Sequence, residues 1–188
     1  GTIFVYVNPD ENEKKYLTQT LCLDEHTMNS SLDPDELARL EFEPEHVALI
    51  YKRPKIVTSS QDDFFFKVAS TGLFLFKQKI VMLVAEDIPL FEGKQFGKVT
   101  SLPDLILRLI NRATNLYLEN LKIINQMTDD LERKVSKSMD NKFLLNLFVL
   151  EKSLIYYLNA INSNSMLIEK MKYYSAKLGF SQESLEFL

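Results

Sequence analysis

The first 90 residues alternate short apolar runs with turn-forming residues, a pattern typical of short strands and short helices. The apolar runs predict strands at residues 2–7, 40–43, 46–51, 64–70, 73–76 and 79–85. Helical spacing predicts a helix over 11–23 and a further helical turn capped by Asp24. The segment Asp33-Pro34-Asp35-Glu36 resembles a helix start, with Asp33 as the N-cap and Pro34 at the first helical position.

Three further sites are interpreted as interruptions of this pattern. Gly72 and the pair Lys77-Gln78 predict tight connections between strands, and Arg53-Pro54-Lys55 predicts the end of a strand. Short connections join neighbouring antiparallel strands. We therefore expect residues 1–100 to form an α/β (α+β) domain whose sheet is mixed but largely antiparallel, with flanking short helices.

The second half of the chain changes character, because glycine is absent between Gly97 and Gly179 and Pro103 is the only proline there. Ser101 and Asp104 resemble a capping box at a helix start. Two series of positions then follow steps of alternately four and three residues: Ile106, Ile110, Ala113, Tyr117, Asn120, Ile124, Met127, Leu131; and Phe143, Leu147, Leu150, Leu154, Tyr157, Ile161, Asn164, Ile168, Met171.

A sustained period of 3.5 residues is typical of a coiled-coil seam. The two series predict two long antiparallel helices, separated near residues 138–141, which form a stalk over residues 101–188. Asn120 and Asn164 each interrupt a seam. A buried Asn can specify register or oligomer number, or both residues can lie at a helix edge, and the pattern leaves both possibilities open.

Charge and composition exclude several classes of protein. The net charge is −4, and acidic residues concentrate between Asp24 and Glu45. A nucleic-acid partner is not expected, since no basic stripe is visible. The acidic segment could attract hard cations, or it could simply complement helix dipoles. The single cysteine, Cys22, excludes an internal disulfide framework. The longest uninterrupted apolar run, 80–85, is far shorter than the roughly 20 residues that span a bilayer.

No catalytic motif is found. Phosphate-binding glycine loops, His-Glu-x-x-His and Gly-x-Ser-x-Gly are all absent from the sequence. Adjacent acids such as Asp62-Asp63 and Asp129-Asp130 point in different directions on a helix or strand, so adjacency alone makes no acid–base pair. We therefore expect no enzymatic activity and no bound cofactor.

Two segments resemble one transporter family. They are Leu37-Ala38-Arg39-Leu40-Glu41-Phe42-Glu43, which leads into the strand at 46–51, and Leu150-Glu151-Lys152-Ser153-Leu154-Ile155-Tyr156-Tyr157-Leu158. Together with the order of elements, they resemble the cytoplasmic part of a CorA-type magnesium and cobalt transporter. The family's membrane region carries a Gly-Met-Asn tripeptide, which this chain lacks. We therefore expect a soluble truncation, whose contact with the membrane is made only through a missing C-terminal segment.

The resemblance implies a function. Such domains form a homopentameric funnel at the cytoplasmic face of the membrane, where Mg²⁺ held between subunits favours the closed pore. Carried onto this sequence, the sensing acids are Asp62, Asp63 and Asp129, with Mg²⁺ as the regulatory ligand. We expect the isolated chain to be monomeric or only weakly associated. The alternative function is a coiled-coil interaction module of a cytosolic scaffold protein.

Overall fold

A five-stranded sheet forms the centre of the first half of the chain. The structure, a computed structural model, describes residues 1–55, 65–137 and 141–185. The strands lie in the order β1-β5-β4-β3-β2; they are β1 (Thr2–Val7), β2 (Arg39–Phe42), β3 (Val47–Lys55), β4 (Lys67–Leu75) and β5 (Lys79–Val84). β1 pairs with β5 in parallel, and the other neighbours are antiparallel. The expected mixed, largely antiparallel sheet is confirmed.

The described helices are short before residue 100 and long after it. They are α1 (Glu11–Gln19), α2 (Glu25–Ser30), a 3-10 helix (Lys94–Lys98), α3 (Leu102–Lys137), α4 (Asn141–Tyr173), α5 (Ser175–Leu178) and α6 (Gln182–Leu185). With 36 and 33 residues, α3 and α4 extend about 50 Å each, which confirms the predicted pair of long helices. Of the predicted break near 138–141, residues 138–140 lie outside the described residues, and α4 begins at Asn141.

Local hydrogen bonds explain where the short helices begin and end. The Asp10 carboxylate accepts from the backbone N–H groups of Asn12 and Glu13, and the Glu13 carboxylate accepts from the Asp10 N–H. This capping box starts α1. α1 ends earlier than predicted, and Cys22 then has a φ of 54°, which a right-handed helix does not allow. Asp24 caps α2 as predicted.

The predicted helix start at Asp33-Pro34 is wrong, because a turn occupies this segment. The carbonyl groups that would begin a helix are taken by side chains of the sheet. The Ser70 hydroxyl donates to the Asp33 carbonyl, and the Lys52 ammonium donates to the Pro34 carbonyl at 2.7 Å. Tertiary hydrogen bonds therefore replace the local ones that the sequence pattern suggests.

The predicted strand end at Arg53-Pro54-Lys55 is also wrong, since β3 continues through Pro54 to Lys55. Pro54 lies opposite Val68 of β4. β2 pairs with β3 only as far as Ile50, so the remainder of β3 has one side free of a strand. A proline without an N–H is tolerated at such an edge.

Gly72 was predicted to connect two strands but lies within β4, so the candidates at 64–70 and 73–76 belong to a single strand. A Cβ atom at Gly72 would lie 2.4 Å from the Cβ of Ser31 at the end of α2. The glycine therefore permits close packing of α2 on the sheet and makes no turn. The predicted connection at Lys77-Gln78 is confirmed, since the Phe76 N–H donates to the Lys79 carbonyl across it.

Both faces of the sheet are covered. Side chains that alternate along the strands, including Leu49, Leu73 and Met82, pack with residues of α3 and α4. Their neighbours in sequence, including Ala48, Phe74 and Leu83, pack with residues of α1 and α2. The larger core thus joins sheet residues to helix residues from beyond 101, while the division into regions 1–100 and 101–188 stays a prediction.

Apolar content is unusually high in α4. Among the described residues it is the one helix long and apolar enough to cross a membrane, judged by length and composition alone, and 22% of its most apolar window is buried. The search of the sequence for uninterrupted apolar runs missed α4, because polar residues interrupt its apolar stretches. A single helix of this kind is weak evidence for a membrane span, since helices of soluble proteins pass the same criterion.

Candidate functional site

The helices α3 and α4 pack antiparallel along a seam of buried residues. Tyr117 contacts Tyr157 edge to face, with ring centroids 4.9 Å apart, and further along the stalk Ile124 and Leu131 of α3 share a cluster with Leu150 of α4. The predicted seam positions of α3 are all buried or half-buried. The expected stalk of two antiparallel helices is confirmed.

The α4 seam differs in part from the prediction. Leu154 and Ile161 are exposed, whereas Ser153 and Ala160 are buried. Small side chains at these two positions allow α4 to approach its neighbours closely, because they occupy little volume. The larger Leu and Ile side chains are therefore turned toward solvent, although their spacing in the sequence suggests the opposite.

The two asparagines of the predicted seams have different partners. Asn120 is half-buried on α3, and its Nδ2 donates to the Tyr157 hydroxyl at 2.8 Å. Burial raises the pKa of Tyr157, and the bond from Asn120 lowers it in part. Asn164 is buried, and it pairs with the sheet instead of with α3. Each amide thus satisfies a specific partner within this chain.

Four side chains of α4 form hydrogen bonds with the backbone of the sheet or of the segments beside it; we call them the docking residues. The Ser163 hydroxyl accepts from the Ala38 N–H at 2.6 Å, and the Lys170 ammonium donates to the Leu40 carbonyl at 2.7 Å. The other two docking residues are Asn164 and Ser153, which accept from the N–H groups of Lys52 and Phe66.

Asn164 acts in place of a neighbouring strand. Its Oδ1 accepts from the Lys52 N–H at 2.8 Å, and its Nδ2 donates to the Lys52 carbonyl at 2.7 Å. β2 pairs with β3 only from Val47 to Ile50, so the backbone groups of Lys52 have no strand partner on that side. The amide satisfies both of them in the core, where unpaired backbone groups are costly.

The Lys52 side chain connects the sheet to the acidic segment. It is 3% exposed, and its ammonium donates to the Pro34 carbonyl at 2.7 Å and the Ser70 hydroxyl at 2.8 Å. Burial lowers the pKa of Lys52 to about 8, against the opposing influence of Asp33, Asp35 and Glu36. Part of the acidic character of 24–45 therefore compensates a buried charge of the same chain.

A buried ion pair holds the beginning of α3. The Asp104 carboxylate accepts from the Arg108 guanidinium at 2.9 Å and from the Thr100 N–H at 2.9 Å. Burial raises the pKa of Asp104, but the bonds from Arg108 and Thr100 outweigh it, so the pKa is lowered. The Ser101 hydroxyl accepts from the Asp104 N–H. Of the predicted capping box, the bond between the Asp104 N–H and the Ser101 hydroxyl is therefore present. The Asp104 carboxylate accepts from the N–H of Thr100 instead of that of Ser101.

A cavity of about 70 Å³ lies between β3 and α3, lined by Tyr51, Arg53, Glu92 and Arg112 together with apolar side chains. Arg53 pairs with Glu86 at 3.3 Å and Arg112 with Glu119 at 3.4 Å. Both guanidinium groups are therefore compensated by carboxylates of the same chain. The cavity brings together no nucleophile and base in the arrangement that catalysis requires.

Of the predicted sensing acids, the structure describes Asp129, which lies away from these contacts. Asp129 is exposed on α3 and shares a surface groove with Glu132, Arg133 and Lys137, while Asp130 pairs with Arg133. Within 1–55, 65–137 and 141–185, no three His, Cys, Asp or Glu residues are grouped to hold a metal ion. Asp62 and Asp63 lie outside the described residues.

Sequence reasoning missed the docking residues as a group. Only Asn164 was singled out, and the signal for the others was weak. Ser153, Ser163 and Lys170 are three of many polar residues on α4, which also carries Asn146, Asn159 and Lys172. Such residues are common on exposed helix faces. The backbone groups that they satisfy lie more than 80 residues away in sequence, which no local pattern reveals.

Comparison with known proteins places this fold and sequence in context. The family model described as CorA-like Mg²⁺ transporter protein matches residues 2–187. Comparison with curated protein sequences finds no significant match.

Solved structures share the fold. The soluble domain of CorA from Methanocaldococcus jannaschii has a TM-score of 0.80 at 17% identity, over 98% of this chain and 75% of that one. The complete CorA magnesium transporter from the same organism has a TM-score of 0.79 at 16% identity, over 98% of this chain and 59% of that one. The ZntB cytoplasmic domain from Vibrio parahaemolyticus has a TM-score of 0.69 at 13% identity, over 98% and 75%. The chain therefore spans under two thirds of the complete transporter, and it belongs to the CorA-like Mg²⁺ transporter family.

Proposed function

We propose that this chain is the regulatory cytoplasmic domain of a divalent-cation transporter, which senses intracellular Mg²⁺ at the cytoplasmic face of the membrane and gates the pore. The observation that carries the proposal is the family match over residues 2–187, together with a long helical stalk docked on the sheet. The domain acts by binding and by mechanical coupling, and it is not an enzyme. Mg²⁺ or Co²⁺ is the transported ion.

Asp129 offers half of a regulatory Mg²⁺ site. Residues three apart on a helix are neighbours, so the carboxylates of Asp129 and Glu132 lie on the same side of α3. Mg²⁺ keeps several of its waters and binds through one or two carboxylates. The nearby cations Arg133 and Lys137 oppose cation binding within a single chain. Carboxylates from a neighbouring subunit would complete the site, and Asp62 and Asp63 are the proposed donors.

The docking residues supply the coupling. Asp129 lies 16 residues beyond Ala113, the last α3 residue of the main core, which is about 24 Å along the helix. A displacement of the stalk at Asp129 is carried by the packed seam to α4. The side-chain bonds of Ser163, Asn164 and Lys170 then pass it to β2 and β3, because these bonds hold the helix at fixed points on the sheet.

The outer face of α4 supports assembly into a homopentamer. The outer α4 face comprises Leu144, Phe148, Ile155, Leu158 and Met166, which are between 43% and 75% exposed. Contiguous exposed apolar residues on a helix mark an interaction surface. A ring of subunits would cover this face and bring acids of neighbouring chains together, and Mg²⁺ between them would remove their repulsion. Mg²⁺ thereby favours the closed state.

The decisive experiment measures transport by the complete transporter that carries this domain. Ion uptake into vesicles is recorded while the Mg²⁺ concentration on the domain side is varied. In Asp129→Asn, closure should require at least about tenfold more Mg²⁺, because a ligand carboxylate is lost. Asp130→Asn is the matched control, since it removes the same charge from the next residue, which already pairs with Arg133. Asp62→Asn/Asp63→Asn tests the second location.

The outcomes separate the parts of the proposal. If Asp129→Asn and Asp130→Asn shift the Mg²⁺ response equally, the effect is one of general charge and Asp129 is not a sensing residue. If uptake is independent of Mg²⁺ on the domain side in the unmodified transporter, the regulatory function itself is refuted.

A further inference from the structure

The cavity between β3 and α3 has the size of a small organic molecule. Its volume is about 70 Å³, and one buried water molecule requires about 10–15 Å³ of such space. The cavity therefore has room for a ligand of about five or six non-hydrogen atoms. A third wall comes from the segment between β5 and the 3-10 helix, which contributes Ile88, Pro89, Leu90 and Glu92.

The lining combines apolar walls with two arginines. Most of the residues that face the cavity are apolar, among them Leu90, Leu109 and Leu116. Apolar walls favour a ligand with a hydrocarbon part, because burial removes that part from water. Arg53 of β3 and Arg112 of α3 bring guanidinium groups from two different walls, and a few polar groups of this kind orient a ligand in an apolar site.

Arg53 is the most deeply buried of the charged residues that line the cavity, with a side chain 5% exposed. In the part of the chain that the structure describes, its guanidinium donates to the Thr71 hydroxyl at 3.3 Å, the Pro54 carbonyl at 3.4 Å and the Glu86 carboxylate at 3.3 Å. All three bonds are longer than the usual range of about 2.7–3.2 Å. Glu86 is shared with Lys55, at 3.0 Å. Since a buried cation gains most from a close, charge-assisted partner, Arg53 favours a further acceptor in the cavity.

The other charges at the cavity lie closer to solvent. The Arg112 side chain is 30% exposed, and it pairs at 3.4 Å with Glu119, whose side chain is 58% exposed. Glu92 is also exposed. Water screens exposed carboxylates, so they oppose an incoming anion only weakly. The cavity therefore presents positive charge in its interior, although the charged residues around it balance in number.

We propose that this cavity binds a short-chain monocarboxylate, whose carboxylate is held by Arg53 and Arg112 and whose hydrocarbon chain lies against the apolar walls. Guanidinium groups hold carboxylates through paired N–H donors. A chain of three or four carbons matches the volume of the cavity. Inorganic phosphate lacks the apolar part, and a long fatty acid exceeds the space.

Titration of the chain with butyrate, followed through its backbone amide NMR signals, tests the proposal. Saturable shifts are expected at Leu109 and Ala113, with a dissociation constant of about 1 mM, because so small a ligand makes few contacts. 1-Butanol lacks the carboxylate and butylamine reverses its charge, so both should bind at least about tenfold more weakly. No saturable shift with butyrate in the millimolar range, or equal shifts with 1-butanol, overturns the proposal.

Two variants test the arginine and the cavity separately. Arg112→Gln removes the more exposed guanidinium and should weaken butyrate binding at least about tenfold. Ala113→Leu keeps both arginines and fills the cavity, so it should also prevent binding. Arg133→Gln is the matched control, since it removes an arginine of the same helix that pairs with Asp130, and it should leave binding unchanged. Circular dichroism verifies that each variant is folded.

Each result has a definite meaning for the site. Equal binding by Arg112→Gln and Arg133→Gln refutes recognition of the carboxylate by Arg112, and unchanged binding by Ala113→Leu refutes the cavity as the site. The site goes beyond the proposed function, because Asp129 lies 16 residues further along α3 than Ala113, about 24 Å away. None of these results bears on Mg²⁺ regulation of the transporter.

Discussion

Replacement of Asn164 by alanine should destabilise the chain more than any other single amide substitution on α4. Asn164 is 6% exposed, and its side chain satisfies both the N–H and the carbonyl of Lys52. Alanine cannot pair with either group, and no strand lies on that side of Lys52 to replace it. A buried unpaired backbone group costs about 1–3 kcal/mol. We therefore expect a loss of about 2–5 kcal/mol in the free energy of unfolding.

Urea denaturation followed by circular dichroism measures this loss through the transition midpoint and slope. Asn162→Ala is the control, since Asn162 is exposed on the same helix two residues earlier. Both variants gain the same helix propensity from alanine, worth about 0.5 kcal/mol, so their difference isolates the contact with Lys52. A difference below about 1 kcal/mol would refute the reasoning, because water would then satisfy these backbone groups as well as Asn164 does.

Two further predictions concern the sheet. Gly72→Ala should lower the free energy of unfolding by about 1–3 kcal/mol, because the new Cβ would lie 2.4 Å from that of Ser31. Gly97→Ala is the control, since a Cβ there would have no atom within 4 Å, and it should change this free energy by under about 0.5 kcal/mol. Urea denaturation midpoints measure both changes. The pKa of Lys52 is about 8 in the fold and 10.5 ordinarily, so the unfolded chain binds more protons between these values and stability should rise from about pH 8 to 10. Lys52→Met should lack this rise, and an identical pH profile in both proteins would contradict the buried, charged lysine.

Local sequence pattern determined those elements whose stabilising contacts lie close along the chain. The 3.5-residue period predicted α3 and α4, because side chains four and three residues apart share one helix face. The apolar runs at 73–76 and 79–85, with the turn at Lys77-Gln78 between them, predicted the antiparallel pairing of β4 and β5. Asp24 predicted the start of α2, since a cap bonds N–H groups only a few residues away.

Tertiary structure decided the features whose partners are distant in sequence. Asp33-Pro34 has the local signature of a helix start, but Lys52 and Ser70 take its carbonyl groups. Gly72 resembles a turn residue and serves the packing of α2. Ser153 and Ala160 replace the larger neighbours in the α4 seam, because the space left by the sheet and α3 admits only small side chains. The residues that dock the stalk on the sheet follow from this packing, and no spacing rule along the chain specifies them.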